Sequence, residues 1–225
     1  MSEIVLLGLN HKTAPVEVRE CIAFSPDQTA AALVDLKNEP VVSEVLLFST
    51  CNRVEVLLVT EQISEAVDTA KRLIARFNQI ALSEFENVLY IHTGDQAVQH
   101  LFRVAASLDS MVVGEPQILG QIKQAYRLAT QQQTAGVVLN RLFHRAFFVA
   151  KRIRSETGIG GHAVSISYAA IELGRKIFGN LEGKKVLLIG AGEMAELAVA
   201  HLIRNRASDI LVTNRTFERA VELSR

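Results

Sequence analysis

Two segments of this chain carry residue types able to do covalent or phosphate-binding chemistry. The first is the polar turn Ser49-Thr50-Cys51-Asn52-Arg53, set between two apolar runs. Thiolate, not thiol, is the nucleophilic form of cysteine, and a nearby cation favours it. Arg53 brings such a cation two residues from Cys51. The second segment is Gly190-Ala191-Gly192-Glu193-Met194-Ala195, which follows the run Lys184–Ile189 and opens a helical pattern reaching about Asn205. Glycines at this spacing allow a tight turn and bring backbone close to a pyrophosphate at a helix N-terminus.

A further strand, Asp209–Thr213, ends in Asn214-Arg215-Thr216, where an NAD site would place an acid. Arg215 among small polar neighbours suits the 2′-phosphate of NADP instead. A βαβ unit without a cofactor is the plainer alternative. A reactive thiol together with an NADP site suggests a thioester that accepts hydride and releases an aldehyde. Cysteine is more often a small buried hydrophobe. Cys21, among the apolar residues of Val16–Phe24, is read that way and given no role.

These segments need elements to position them. Strands are expected at Ile4–Leu9, Val41–Phe48, Val54–Thr60 and Val88–His92. Helices are expected from Pro26 to Lys37, capped by Ser25, and from Ile63 to Asn78. The order β-α-β-β-α-β predicts a ferredoxin-like α/β domain. Helical spacing then recurs over Gln96–Ala106, Pro116–Gln133, Val137–Glu156 and Val164–Phe178, with glycine breaks after Thr157 and Phe178. The expected organisation is a catalytic, substrate-binding domain over 1–157, then a linker helix and a partial Rossmann-type NADP domain over 158–225. Two strands do not make a stable dinucleotide sheet, so a truncated chain is expected.

The 225 residues balance 24 Lys and Arg against 24 Asp and Glu. Neutral overall charge gives no general pull toward nucleic acid or membrane. No apolar run of about 18 residues suggests a transmembrane helix, and the N-terminus lacks the basic start of a signal peptide. Reduced thiols and a cytoplasmic location are therefore expected. His11, His92, His144, His162 and His201 show no metal-ligand spacing, so no metal site is expected. Arg141, His144, Arg145, Lys151, Arg152 and Arg154 cluster on one helical segment, which is either a solvated face or a phosphate-binding one.

Several stretches resemble the glutamyl-tRNA reductase family. They are Gly8-Leu9-Asn10-His11-Lys12-Thr13-Ala14-Pro15, Ser49–Glu55, His100–Ala105, Leu108–Gln121, Ser165–Ala170 and the Gly190 loop. The resemblance implies that Cys51 attacks the aminoacyl ester of glutamyl-tRNA and that NADPH reduces the thioester to glutamate-1-semialdehyde, the first step of the five-carbon route to tetrapyrroles. It implies that Thr50, Asn52 and Arg53 line the glutamate pocket, with Arg53 on the substrate γ-carboxylate. Ser110, Glu115, Pro116, Gln117 and Gln121 match further substrate positions, and His100 matches a histidine important for activity. Residues 190–195 match the NADP loop. The resemblance also implies a C-terminal helical domain that forms a homodimer, and handover of product to an aminomutase. Two alternatives remain open. One is another NADP oxidoreductase, such as a shikimate-dehydrogenase-like enzyme, which would need no Cys51 turn. The other is a non-catalytic fragment that binds tRNA or a partner protein.

Overall fold

A computed structural model describes residues 2–160 and 166–224. The chain divides into two compact units, Met1–His162 and Ala163–Arg225. His162, Val164 and Ser165 lie outside the described residues, as does the side chain of Glu193.

The first unit runs β1 (Glu3–Asn10), α1 (Val16–Cys21), α2 (Pro26–Asn38), β2 (Glu44–Ser49), β3 (Arg53–Thr60), α3 (Ile63–Asn78) and β4 (Tyr90–Thr93). Helices α4 (Asp95–Ala105), α5 (Gln117–Gln131) and α6 (Val137–Glu156) follow. The sheet order is β2-β3-β1-β4, and each neighbouring pair is antiparallel. This is the expected ferredoxin-like arrangement. The N-terminus of α2 forms as expected: Ser25 accepts from the backbone N–H of Gln28, and the Gln28 side chain accepts from that of Ser25.

All eight residues of β3 are buried, and β1 is buried from Val5 to Asn10. Side chains alternate between the faces of a strand, so helices must cover both sides of this sheet. Polar residues in such a strand have to find partners inside the protein. Arg53 and Glu55 are therefore forced into an internal network. Buried Glu44 answers the same demand: its carboxylate accepts from the backbone N–H groups of Val138 and Leu139, capping α6.

Some boundaries move. β4 begins at Tyr90 because two short 3-10 turns, Leu82–Glu84 and Glu86–Val88, take up the chain before it. Helix α1 was not expected. It buries none of its residues, and Cys21 at its end is exposed, so the reading of Cys21 as a core residue is corrected.

The second unit contains α7 (Ile166–Phe178), β5 (Lys185–Ile189), α8 (Glu193–Arg204), β6 (Asp209–Thr213) and α9 (Phe217–Leu223). β5 and β6 pair in parallel, with Ile189 opposite Thr213. Ile171, Leu181 and Leu202 form its small core. Lys184–Ile189 is apolar from Val186 onward, as a buried parallel strand would be, yet Leu187 and Ile189 are exposed. The reason is the size of the sheet: two strands leave one face open, whereas larger parallel sheets are covered on both. Among the described residues no helix is long and apolar enough to cross a membrane.

Candidate functional site

Cys51 sits at the tip of the β2–β3 hairpin and is exposed. The turn is built by Thr50. Its backbone N–H donates to the carbonyl of Arg53 at 2.8 Å, and its hydroxyl accepts from the N–H groups of Asn52 and Arg53 at 3.2 Å. Thr50 therefore shapes the loop that presents the thiol. Two neighbours brace the turn from outside. The N–H of His11 donates to the Asn52 carbonyl at 2.9 Å. Arg19, on α1, donates to the Cys51 carbonyl at 2.7 Å and to Asn52 Oδ1 at 3.1 Å.

Arg53 does not face the thiol. Its side chain is 1% exposed and points into the unit. Nη1 donates to Glu55 Oε1 at 2.7 Å, and Nη2 donates to Asp109 Oδ2 at 3.0 Å and to the Asp109 carbonyl at 2.6 Å. Arg53, expected on the substrate γ-carboxylate, is held by Glu55 and Asp109 in this structure. A guanidinium already shared between two internal carboxylates acts as a structural tie. Arg19 is the cation at the Cys51 turn.

The tie joins two clusters. On one side Asp109 also accepts from Asn10 Nδ2 at 3.2 Å and Lys12 Nζ at 2.5 Å. On the other, Glu55 Oε1 accepts from the Tyr90 hydroxyl at 2.5 Å and lies 2.9 Å from His100 Nε2. The His92 ring stands 4.9 Å from the His100 ring. Burial pushes the Glu55 carboxyl upward, but the hydrogen bond from His100 and the Arg53 charge outweigh it and hold it below the usual range. Burial likewise opposes ionisation of Asp109, and the hydrogen bonds from Lys12 and Arg53 reverse the balance downward. Burial, with Arg53 and Lys12 nearby, pushes the His11 imidazole down, so its neutral form is favoured.

Ser110 adjoins Asp109 and is buried, yet its hydroxyl has no hydrogen-bond partner among the described residues. The Glu115 carbonyl accepts from Ser107 and Arg154, which fixes the loop before α5. Pro116 at the start of α5 is exposed, and Gln117 and Gln121 are half-buried. Arg154, expected on a basic surface, is turned inward to the Gly114 and Glu115 carbonyls.

In the second unit Gly190 has φ +113°, a conformation that suits glycine, and its N–H donates to the Thr213 carbonyl. Asn214 Oδ1 accepts from the N–H of Ala191, and Asn214 Nδ2 donates to the Thr216 carbonyl. Asn214 thus ties the glycine loop to the end of β6. Arg215 and Thr216 are exposed. Met194 and Ala195 lie in the first turn of α8, whose N-terminal Gly192 offers no side-chain cap. A Cβ on Gly190 or Gly192 would meet nothing within 4 Å. A hollow of about 350 Å³ opens beside Ala191 and Gly192, with Arg219, Glu196 and Glu222 also on its wall. Uncapped N–H groups and an open glycine cradle fit a phosphate-bearing ligand.

Fold and site together define a two-unit α/β protein: a ferredoxin-like unit presenting a cysteine on a hairpin, and a Rossmann-like βαβ unit with a glycine turn. Comparison with known families agrees. The family described as glutamyl-tRNA(Glu) reductase, N-terminal domain, matches residues 7–157, and that of shikimate / quinate 5-dehydrogenase matches residues 172–225. The chain belongs to the glutamyl-tRNA reductase family. It is similar to the glutamyl-tRNA reductase of Desulfatibacillum aliphaticivorans, 60% identical over 222 residues, covering 99% of this chain and 51% of that protein. That of Geobacter metallireducens is 54% identical over 221 residues, covering 98% and 51%. The structure of the glutamyl-tRNA reductase from Methanopyrus kandleri matches with a TM-score of 0.64 at 39% identity, covering 99% of this chain and 52% of that one. The chain thus spans about half the length of the relatives it matches.

Sequence reasoning missed Arg19, which sits on the unexpected helix, and the roles of Asn10, Lys12, Glu55, Tyr90 and Asp109. A signal existed for Glu55. Arg53 and Glu55 lie two apart in an otherwise apolar strand, hence on one face, and opposite charges in a buried strand must pair.

Proposed function

We propose that Cys51 is the nucleophile of a glutamyl-tRNA reductase, and that this chain carries its thioester-forming site together with the start of its NADP site. The observation that carries the reading is an exposed thiol on a hairpin turn braced by Thr50, His11 and Arg19, above a buried charge network. An exposed nucleophile on a rigid support suits attack on a large ester.

The Cys51 sulfur attacks the ester carbonyl carbon of glutamyl-tRNA. The carbon–oxygen bond to the terminal ribose breaks, the ribose oxygen leaves as a hydroxyl after taking up a proton, and a thioester remains on Cys51. His100, oriented by Glu55, is the group assigned to proton transfer near the carbonyl. The Ser110 hydroxyl and the side chains of Asn52, Glu115, Gln117 and Gln121 are assigned to substrate binding, together with Pro116. Residues 190–195, with Asn214, Arg215 and Thr216, would hold NADP by its phosphates. The chemistry that bound NADPH would supply is hydride for the thioester carbonyl. The Cys51 thiolate is the leaving group of that reduction, and glutamate-1-semialdehyde is the product. On this reading the protein is cytoplasmic, the complete protein is a homodimer, and its unstable aldehyde passes to an aminomutase.

Mass spectrometry after incubation with glutamyl-tRNA, without NADPH, tests the covalent step. A glutamyl adduct on Cys51 is expected, absent in Cys51→Ser. An unmodified Cys51 under conditions of ester cleavage overturns the mechanism.

A further inference from the structure

Charge is segregated in this neutral protein. Residues 117–155 contain Lys123, Arg127, Arg141, Arg145, Lys151, Arg152 and Arg154 and no acid at all; Glu156 is the first. All of these cations except Arg154 are exposed. On α6 the spacing of Arg141, Arg145, Phe148 and Arg152 places them along one helical face. Phe148 is 50% exposed, with the Arg145 guanidinium 5.2 Å and the Arg152 guanidinium 5.9 Å from its ring centre. From α5, Lys123 reaches over the adjoining Phe147 ring at 5.8 Å. A hollow of about 500 Å³ lies among Lys123, Phe147, Phe148 and Lys151.

We propose that this face of α5 and α6 docks the sugar–phosphate backbone of a structured RNA, with Phe148 stacking on an exposed base or ribose. Partly buried aromatics are ordinary, but a half-exposed phenylalanine bracketed by two guanidiniums offers an apolar plane beside two phosphate-binding groups. That pairing of stacking platform and cationic track is the chemistry by which proteins hold nucleic acid without reading sequence. Glu156, the first acid after this stretch, accepts both guanidinium hydrogen bonds of Arg152 at 2.8 Å and so restrains it. The inference rests on the reading that the substrate arrives on tRNA and locates where its backbone lies.

The test is fluorescence anisotropy of labelled, unacylated tRNA with the 225-residue chain, over a series of KCl concentrations. The double variant Arg145→Glu, Lys151→Glu is expected to bind at least roughly tenfold more weakly. Its plot of log affinity against log salt should be shallower by about 1.4 to 1.8, the value for two lost phosphate contacts. Phe148→Ala should weaken binding by roughly fivefold or more without flattening the slope. Glu156→Gln should strengthen binding. Cys51-dependent hydrolysis of p-nitrophenyl acetate is expected to be unchanged in all three, which shows that they fold. Unchanged affinity and slope in the double variant overturn the proposal. Tighter binding to phosphatidylglycerol vesicles than to tRNA overturns it in favour of a membrane surface. Loss of the Cys51 adduct would sink the covalent reading alone, and unaltered tRNA curves with a normal adduct would sink this surface alone.

Discussion

The guanidinium of Arg19 lies 2.7 Å from the carbonyl oxygen of Cys51. The contact crosses from α1 to the hairpin and also takes in Asn52 Oδ1, so one side chain braces the turn where it leaves Cys51.

Arg19→Ala should therefore impair chemistry more than folding. Charge-assisted hydrogen bonds contribute about 1.5 to 3 kcal/mol where solvent is excluded and less on a partly exposed helix. The expected result is a melting temperature within a few degrees of wild type and a clear slowing of Cys51 acylation by glutamyl-tRNA, with partial recovery in Arg19→Lys. An unfolded or strongly destabilised Arg19→Ala protein would show the contact to be purely structural.

Glu55 should behave in the opposite way. It is fully buried and shared by Arg53, Tyr90 and His100. Glu55→Gln leaves the Arg53 charge with less compensation and should cost about 3 kcal/mol or more. The pH dependence has a definite sign. The folded carboxyls of Glu55 and Asp109 are held below their ordinary values. Their contribution is complete above the unfolded value of about 4 and is lost as pH falls from there through the depressed folded values. Denaturation curves from pH 7 down to pH 2 should show wild type losing stability below about pH 4, and Glu55→Gln losing less of it. Parallel curves for the two proteins would contradict the assignment.

Gly8 of β1 faces Glu55 of β3 across the sheet. A Cβ there would lie 2.4 Å from the Val54 carbonyl oxygen and 2.9 Å from the Glu55 Cα, both backbone atoms with little freedom to yield. Gly8→Ala should therefore unpick the β1–β3 register beside the charge network and lower stability by about 1 to 3 kcal/mol. Gly190→Ala meets no atoms, so only its φ of +113° opposes it. That change should spare the first unit and weaken NADPH binding, which fluorescence titration would measure. Equal global destabilisation by both substitutions would refute the distinction.

The four strands and most helices of the first unit were legible because each carries a local signal, which α1 does not. Ser25-Pro26 marks the start of α2, and the apolar spacing over Ile63–Asn78 and Val137–Glu156 gives α3 and α6 at their observed bounds. The Cys51 turn was legible for the same reason, as a polar break between apolar strands. What the sequence concealed is where long side chains go. Arg53 stands two residues from Cys51 along the chain, yet strand alternation and burial turn it toward Asp109, 56 positions away. Arg19 is 32 positions from Cys51 but touches its backbone. Such contacts depend on the sheet order, which local pattern does not encode. The exposure of β5 was hidden likewise, since an apolar run reads the same whether or not the second face of its sheet is covered.

Ser110 separates a structural role from a functional one most sharply. Its side chain is buried beside Asp109, and its hydroxyl has no partner among the described residues. A buried hydroxyl without a hydrogen bond lowers stability. If the group served folding alone, its deletion would be neutral or favourable and nothing else would change. If it waits for the glutamyl moiety, Ser110→Ala should leave the melting temperature level or slightly raised, while half-maximal acylation of Cys51 should require roughly tenfold more glutamyl-tRNA, the value of one hydrogen bond in a closed site. The maximal rate of acylation should fall less than this requirement rises, because the hydroxyl is assigned to binding and not to bond making. Acylation measured across a substrate series in both proteins decides the matter, and an unchanged concentration dependence would remove Ser110 from the site.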